Sequence, residues 1–484
     1  MDALALSAGL KLPWLLGIAA LVAMRDTARK ADAPGEAAWI VGAGYLVGAF
    51  MLTLWMRVLS HAGIRFGALA IGAPLLLLAA VLAWVAWRRH GGAALVAATL
   101  GALRALVAPP HATRAIRIAW QLLLAWLVLR YALLALEVIW QPLYPWDAWI
   151  QWATKARVWY EQGRIEPFAR SEAWFAAGGG VWFDASPDYP PTVPLLQVWT
   201  CIALGRWDDS LMNAPWWQFS VALAFAVYGA LRSLDMDALP ALVGTFLVAS
   251  LPLANVHVAL AGYADLPMAA YYTTAALAFL RWTRSRSLRD AGLALLLAIA
   301  CTQIKVPGLI WALTLLPGVV VALRPRQGPK IVAIGLALAI FALAVVAQTN
   351  PVVFGYRLHQ DFDPAWRALG ETQFLLSNWH LLWYAAIVAA ALAWRQLATP
   401  ALAPLTAIVV TGGVFLVIVF SFTIARNWVI EQTTINRATL HLAPLAAVFA
   451  VLAFNAFAAR WTATRATLTA PPPVPPIPLA PPAA

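Results

Sequence analysis

The sequence predicts an all-α polytopic membrane protein, a bundle of about thirteen spanning helices, and three observations carry that reading. Of its 484 residues 63% are hydrophobic and only 11% charged, against roughly 25% charged in an ordinary soluble domain. The apolar residues fall in runs near the length a helix needs to cross a bilayer, about 17–25 residues. Lys and Arg gather in the connections between alternate runs, the pattern that marks cytoplasmic loops. The net charge of +12 therefore reads as a topology signal. A nucleic-acid surface, by contrast, would cluster its basic residues on one face or along a helix.

Taken in order, the runs lie near 7–24, 37–59, 66–87, 118–140, 211–231, 239–256, 266–282, 290–303, 307–323, 331–349, 381–396, 401–422 and 438–459. No basic stretch precedes the first, and Arg25, Arg29 and Lys30 follow it, so it reads as a retained helix and not as a cleaved signal. Basic residues recur at Arg88, Arg89, Arg104, Arg114 and Arg117, at Arg281, Arg284, Arg286 and Arg289, and at Arg324, Arg326 and Lys330. With these runs as spans, all of those clusters fall on one side, which places the N-terminus outside and the C-terminus inside. Residues 93–108 are apolar but short and carry Arg104, which suits a helix lying on the cytoplasmic face. If they span instead, the first three helices reverse. Residues 1–117 then form an N-terminal group of membrane helices, 118–459 the main transmembrane module, and 460–484 a Pro-rich disordered cytoplasmic tail. Cys201 and Cys301 have neither metal-ligand spacing nor a disulfide framework.

Eight of the 21 acidic residues lie in one external segment, 141–210: Asp147, Glu161, Glu166, Glu172, Asp184, Asp188, Asp208 and Asp209. A connection of this length is usually functional. It opens with Tyr144-Pro145-Trp146-Asp147-Ala148-Trp149, an acid among tryptophans where the chain leaves the lipid, and carboxylates near hydrocarbon are costly enough to be functional candidates. An amphipathic helix from Trp149 to Tyr160 is expected to lie along the membrane. Gly178-Gly179-Gly180 makes a flexible break, and Leu195 to Leu204 is expected to dip into the membrane without crossing it. Asp265, in the turn Gly262-Tyr263-Ala264-Asp265 that follows His257, falls at the same membrane face as Asp147. So do 350–380, with Arg357, His359, Asp361, Asp363, Arg367, Glu371 and His380, and 423–437, with Arg426, Glu431 and Arg437 ahead of His441.

Two aspartates at one face suit a general base, a metal clamp or a proton relay. Lys305, Arg357, Arg426 and Arg437 are the candidates to pair with phosphate oxygens. Aromatic rings such as Trp146, Trp149, Tyr189 and Tyr263 can pack on the apolar faces of sugars. His257 and His441 lack metal-ligand spacing and read as structural or substrate-contacting histidines.

This arrangement resembles the GT-C membrane glycosyltransferases, which include protein O-mannosyltransferases, lipid A aminoarabinose transferases and oligosaccharyltransferase catalytic subunits. The resemblance covers about 118–459. It rests on Asp147 just after a span, the amphipathic helix, Asp188-Tyr189-Pro190-Pro191, and the second acidic turn at Asp265. Gln303-Ile304-Lys305-Val306-Pro307-Gly308 is similar to a Lys-Asn-Glu-Gly-type turn of bacterial relatives, and Arg437 to Pro444 to a late Arg-and-His helix start. The resemblance implies a GT-C-like helical bundle with a large first catalytic periplasmic loop in a bacterial inner membrane. It also implies an inverting transfer from a polyprenyl-phosphate-linked sugar donor to an acceptor hydroxyl on a glycan, lipid or protein. Asp147 and Asp265 take the catalytic positions. Lys305, Arg437, Arg426 and Arg357 would hold the donor phosphate, and Trp146, Trp149, Tyr189, His257, Tyr263 and His441 would contact the substrates. Asp147 is single and Asp265 has no second acid two residues on, which argues against a tightly bound divalent metal; metal dependence stays open on the sequence, and no cofactor is firmly predicted. The expected partners are the lipid-linked donor, the acceptor and membrane lipids, with no nucleic acid.

Two other readings stay open on the sequence. A transporter or flippase of lipid-linked sugars would use Asp147, Asp265 and Arg130 as ion or headgroup sites. An O-antigen ligase or polymerase would place its catalytic weight on 350–380 instead of Asp147.

Overall fold

The computed structural model describes residues 2–25, 33–107, 109, 112–353, 356–358 and 363–469. Arg29, Lys30, His359, Asp361 and the proline run from Pro471 lie outside the described residues. The described residues are predominantly helical. The α-helices are α1 (Asp2–Ala23), α2 (Glu36–His61), α3 (Ala68–His90), α4 (Gly92–Val107), α5 (Arg114–Trp140), α6 (Thr154–Gln162), α7 (Ser171–Ala177), α8 (Thr192–Leu204), α9 (Ala214–Ser233), α10 (Ala238–Ala249) and α11 (Pro252–Ala259). They continue as α12 (Asp265–Ser285), α13 (Leu288–Thr302), α14 (Gly308–Leu313), α15 (Leu316–Leu323), α16 (Gly328–Ala347), α17 (Trp366–Gly370), α18 (Leu382–Leu392), α19 (Ala403–Phe422), α20 (Asn427–Ile430) and α21 (Thr434–Thr469). Two minimal sheets interrupt them. β1 (Phe168–Ala169) runs parallel to β2 (Trp182–Phe183) with Phe168 opposite Trp182. β3 (Val352–Val353) runs antiparallel to β4 (Tyr356–Arg357) with Val352 opposite Arg357.

A helix lies under every apolar run of the sequence. By length and composition, seven of those among the described residues can cross a membrane: α1, α2, α3, α5, α16, α19 and α21. The number is eight if α10 and α11, bent by 61°, count as one span. The expected count of about thirteen is not reached on that measure. Helix α13, with 15 residues, and α18, with 11, are shorter than the roughly 17 residues a span requires. Proline sets two of the breaks: Pro252 opens α11, and Pro317 sits in the first turn of α15, where its missing N–H costs nothing.

The core is organised around α12, most of whose residues are buried from Asp265 to Arg281. It packs against α9, α13 and α21. Small residues, Ala269, Ala270, Ala275, Ala276 and Ala278, are fully buried along it and allow close neighbours, as at other membrane-helix contacts. A helix enclosed by protein need not be as apolar as one bathed in lipid, which is why α12 carries Thr273, Thr274 and two tyrosines. By contrast, α16 exposes Ile334, Leu338 and Phe341, and α5 exposes Leu122, Val128 and Leu133. These faces suit lipid. Helices α1 and α2 meet through glycine: a Cβ at Gly17 would run into the carbonyl of Gly44, and one at Gly48 into that of Pro13.

Residues 195–204 belong to α8, which packs on α1, α2 and α6 with Leu195, Leu196 and Val198 buried. Two local expectations are corrected. The helix expected at Trp149–Tyr160 starts as a π-helical segment, Ala148–Ala153, and becomes α-helical only in α6. Residues 460–469 are not part of a disordered tail but the last turns of α21, since no Pro or Gly stands between Pro444 and Pro471.

Candidate functional site

Asp265 is the first residue of α12 and is fully buried. A carboxylate is favoured at a helix N-terminus by the backbone dipole, but at this depth it also needs charged partners. Lys305 and Arg437 supply the charge, and His441 adds a hydrogen bond. Nζ of Lys305 donates to Oδ1 at 2.5 Å, and Nε2 of His441 lies 2.9 Å from the same oxygen. Nε of Arg437 donates to Oδ2 at 2.9 Å. The same guanidinium donates through Nη1 to Oδ2 of Asp147 at 2.5 Å. Arg437 thus joins two aspartates that are far apart in sequence, and its planar fork is suited to that task. Its guanidinium also stacks over Tyr263, 4.2 Å from the ring centre, and Tyr263 packs against His257 at 5.2 Å.

Local structure explains how each group arrives. The turn between α13 and α14 carries Lys305. Gly308 lets it fold tightly, since a Cβ there would strike the carbonyl of Cys301. Burial pushes the Lys305 ammonium below its ordinary range, and Asp265 beside it works in the opposite direction. Arg437 and His441 stand one turn apart on α21, so both face α12. Asp147 directly precedes the π-helical segment. Such segments occur often at functional sites.

Asp147, Lys305, Arg437 and His441 line a cavity of about 160 Å³, together with Tyr189 and Thr434. Asp265, Tyr263 and His257 stand behind it. The rest of the lining is largely apolar: Ile310 and Trp311 from α14, Phe415, Leu416, Val419 and Phe420 from α19, and Trp428 from α20. Trp311 stands edge-on to both Phe415, at 5.2 Å, and His441, at 5.6 Å. The cavity can therefore take a molecule with an anionic or hydroxylated part and an apolar part.

A second buried pair lies within residues 141–210, the segment that carries Tyr189. Lys155 on α6 donates to the carbonyl of Ser186 at 2.7 Å and lies 3.5 Å from Asp184. Its ammonium also lies about 6 Å from the rings of Trp152 and Tyr189, which meet edge-on at 5.2 Å. Burial lowers the pKa of Lys155 and raises that of Asp184, in both cases against the attraction of the other. This clamp fixes the segment that delivers Tyr189 to the cavity.

The remaining residues singled out in the sequence lie elsewhere. Trp146 and Trp149 pack on each other at 5.2 Å with exposed side chains and do not line the cavity. Arg426 is paired with Asp363 at 2.8 Å, and Arg357 is exposed on β4. Neither reaches the cavity wall. Arg130 donates to Oδ1 of Asn255 at 3.2 Å, and Asn255 donates in turn to the carbonyls of Ala249 and Leu251. It thereby satisfies the backbone at the break between α10 and α11.

A further group of buried charges was not anticipated. At the other end of α12, Arg281 binds Glu36 at 2.7 Å and approaches Asp290 at 3.6 Å, while Arg289 binds Glu36 at 2.7 Å. Trp39 covers the Arg281 guanidinium at 4.7 Å. Among the described residues, no group of three or more His, Cys, Asp or Glu side chains is placed to hold a metal ion. Compared with known proteins, the chain matches no family model, no curated protein and no solved structure.

Proposed function

We propose that this protein is an integral-membrane glycosyltransferase of the GT-C type, with about thirteen passes. It would move a sugar from a polyprenyl-phosphate-linked donor to an acceptor hydroxyl on the periplasmic face of a bacterial inner membrane. The observation that carries the reading is the bridge from Arg437 to both Asp147 and the buried Asp265, with Asp147, Arg437 and Lys305 lining a cavity whose lining is otherwise largely apolar. A carboxylate that is a third exposed can take a proton from an acceptor hydroxyl, while cations nearby meet a phosphate leaving group. The acceptor oxygen attacks the anomeric carbon and gives its proton to Asp147. The bond from that carbon to the phosphate oxygen breaks, and polyprenyl phosphate departs with the electron pair. The configuration at the sugar is inverted. Asp265 does not touch substrate in this scheme. It holds Lys305, Arg437 and His441 in place. The basic clusters at the opposite ends of the spans support the external placement of the site.

The ligase reading gains nothing from the geometry, because Arg357 and the Arg367–Glu371 pair do not line the cavity. The test is transfer by membranes supplied with a polyprenyl-phosphate sugar. Asp147→Asn should lower turnover by on the order of 10²–10⁴ at matched expression. Wild-type turnover in that variant, with loss on substitution in 350–380, would instead favour the ligase.

A further inference from the structure

In the resting site Arg437 is bound to the carboxylate that must act as base. Of the contacts that neutralise the cluster, those to Asp265 are shut away: Asp265 is 0% exposed and Lys305 10%. The contact from Nη1 of Arg437 to Asp147 is the open one, with the two side chains 20% and 34% exposed. It also lies on the cavity wall. Among the described residues, Arg437 is the one hydrogen-bond partner that the Asp147 carboxylate has.

We infer that Asp147 occupies the position on Arg437 that an incoming phosphate oxyanion takes, so that anion binding releases Asp147 and donor loading switches on the base. The inference rests on the reading above in taking the anion for the donor's phosphate. Two oxyanions cannot share Nη1 without repulsion, and a phosphate carries more charge and a better match to the guanidinium fork than one carboxylate oxygen. Arg437 need not move, since Nε stays on Asp265. Only Asp147 swings away, and its backbone stands at the joint between α5 and the π-helical segment. The resting enzyme is thereby self-inhibited: a hydroxyl that enters first meets an aspartate already engaged, and binding is ordered with the donor leading.

The inference predicts opposite effects from one substitution. Asp147→Asn removes the competing charge and keeps the shape, so the purified full-length protein should bind farnesyl phosphate about three- to fivefold tighter than wild type. In transfer assays the donor KM should fall along with kcat. Arg437→Gln should abolish binding with either residue at 147, and thermal melts establish that each variant is folded. Inorganic phosphate is measured in parallel. Tightening for both ligands supports the exchange with the phosphate group alone sufficient, and tightening for farnesyl phosphate alone supports it for a lipid-borne phosphate. Equal or weaker binding by Asp147→Asn for both ligands overturns it. If wild type transfers no sugar but the tightening is seen, the glycosyltransferase reading fails and the exchange stands.

Discussion

Asp147 and Asp265 share one guanidinium and differ in what holds them. Asp265 is buried and takes bonds from Lys305, Arg437 and His441, so Asp265→Ala strands the Lys305 cation away from water and leaves Arg437 with Asp147 alone. It should cost about 3–5 kcal/mol, as breaking a buried pair does, and show as a large fall in melting temperature in detergent. Asp147→Asn, at a position a third exposed, should cost no more than about 1 kcal/mol while turnover is lost. Equal melting losses for the two would refute the division between a structural and a reacting aspartate. The charged members of the site were legible in the sequence because an acid or base among apolar runs stands out against its surroundings. Trp311, Phe415 and Trp428 were not, since an aromatic residue facing a cavity has the same sequence context as one facing lipid. Arg426 and Arg357 were expected at the phosphate by their type and their side of the membrane. Neither property reveals that Asp363 has already claimed Arg426.

Among the elements, the segment 141–210 is held by a buried charge pair. The Lys155–Asp184 pair lies wholly inside the protein, each side chain about 1% exposed or less. Removing one partner leaves the other's charge uncompensated, so Lys155→Met should destabilise the segment by about 3–5 kcal/mol. Combining it with Asp184→Leu should recover most of that loss, because an apolar pair of similar volume is often neutral or better. Limited proteolysis between α6 and α8 reads this directly: rapid cleavage in the single variant, slow cleavage in the double. Continued fast cleavage in the double variant would assign the pair a specific role beyond packing. The packing of α8 was not legible for a related reason. A short apolar run looks the same whether it will meet lipid or protein, and only the partners, here α1, α2 and α6, decide.

Across the whole molecule, the helical positions were legible from hydropathy, while length and composition alone mark fewer of the described helices as spans than the proposal holds. Helices such as α12 are shielded by their neighbours and released from the demand for an apolar surface, whereas α16 is not and shows the full signal. The sidedness drawn from the basic clusters can be checked with cysteine labelling, because the native Cys201 and Cys301 are both buried. A cysteine placed by Ala177→Cys on exposed α7 should react with an impermeant maleimide from the periplasmic side. One placed by Arg326→Cys, exposed between α15 and α16, should react only after the inner membrane is opened. Labelling of both from the same side would overturn the proposed path of the chain.

Helix α12 is anchored by charge at both ends, through Asp265 at one and Arg281 at the other. At 1.5 Å per residue these anchors stand about 24 Å apart, somewhat less than the roughly 30 Å of a typical hydrocarbon layer. A helix pinned at both ends cannot slide to suit a thicker or thinner bilayer. Mismatch must then be taken up by tilt of the lipid-facing helices α5 and α16 or by local deformation of the lipid, and the spacing of the two charge clusters stays constant as membrane thickness varies.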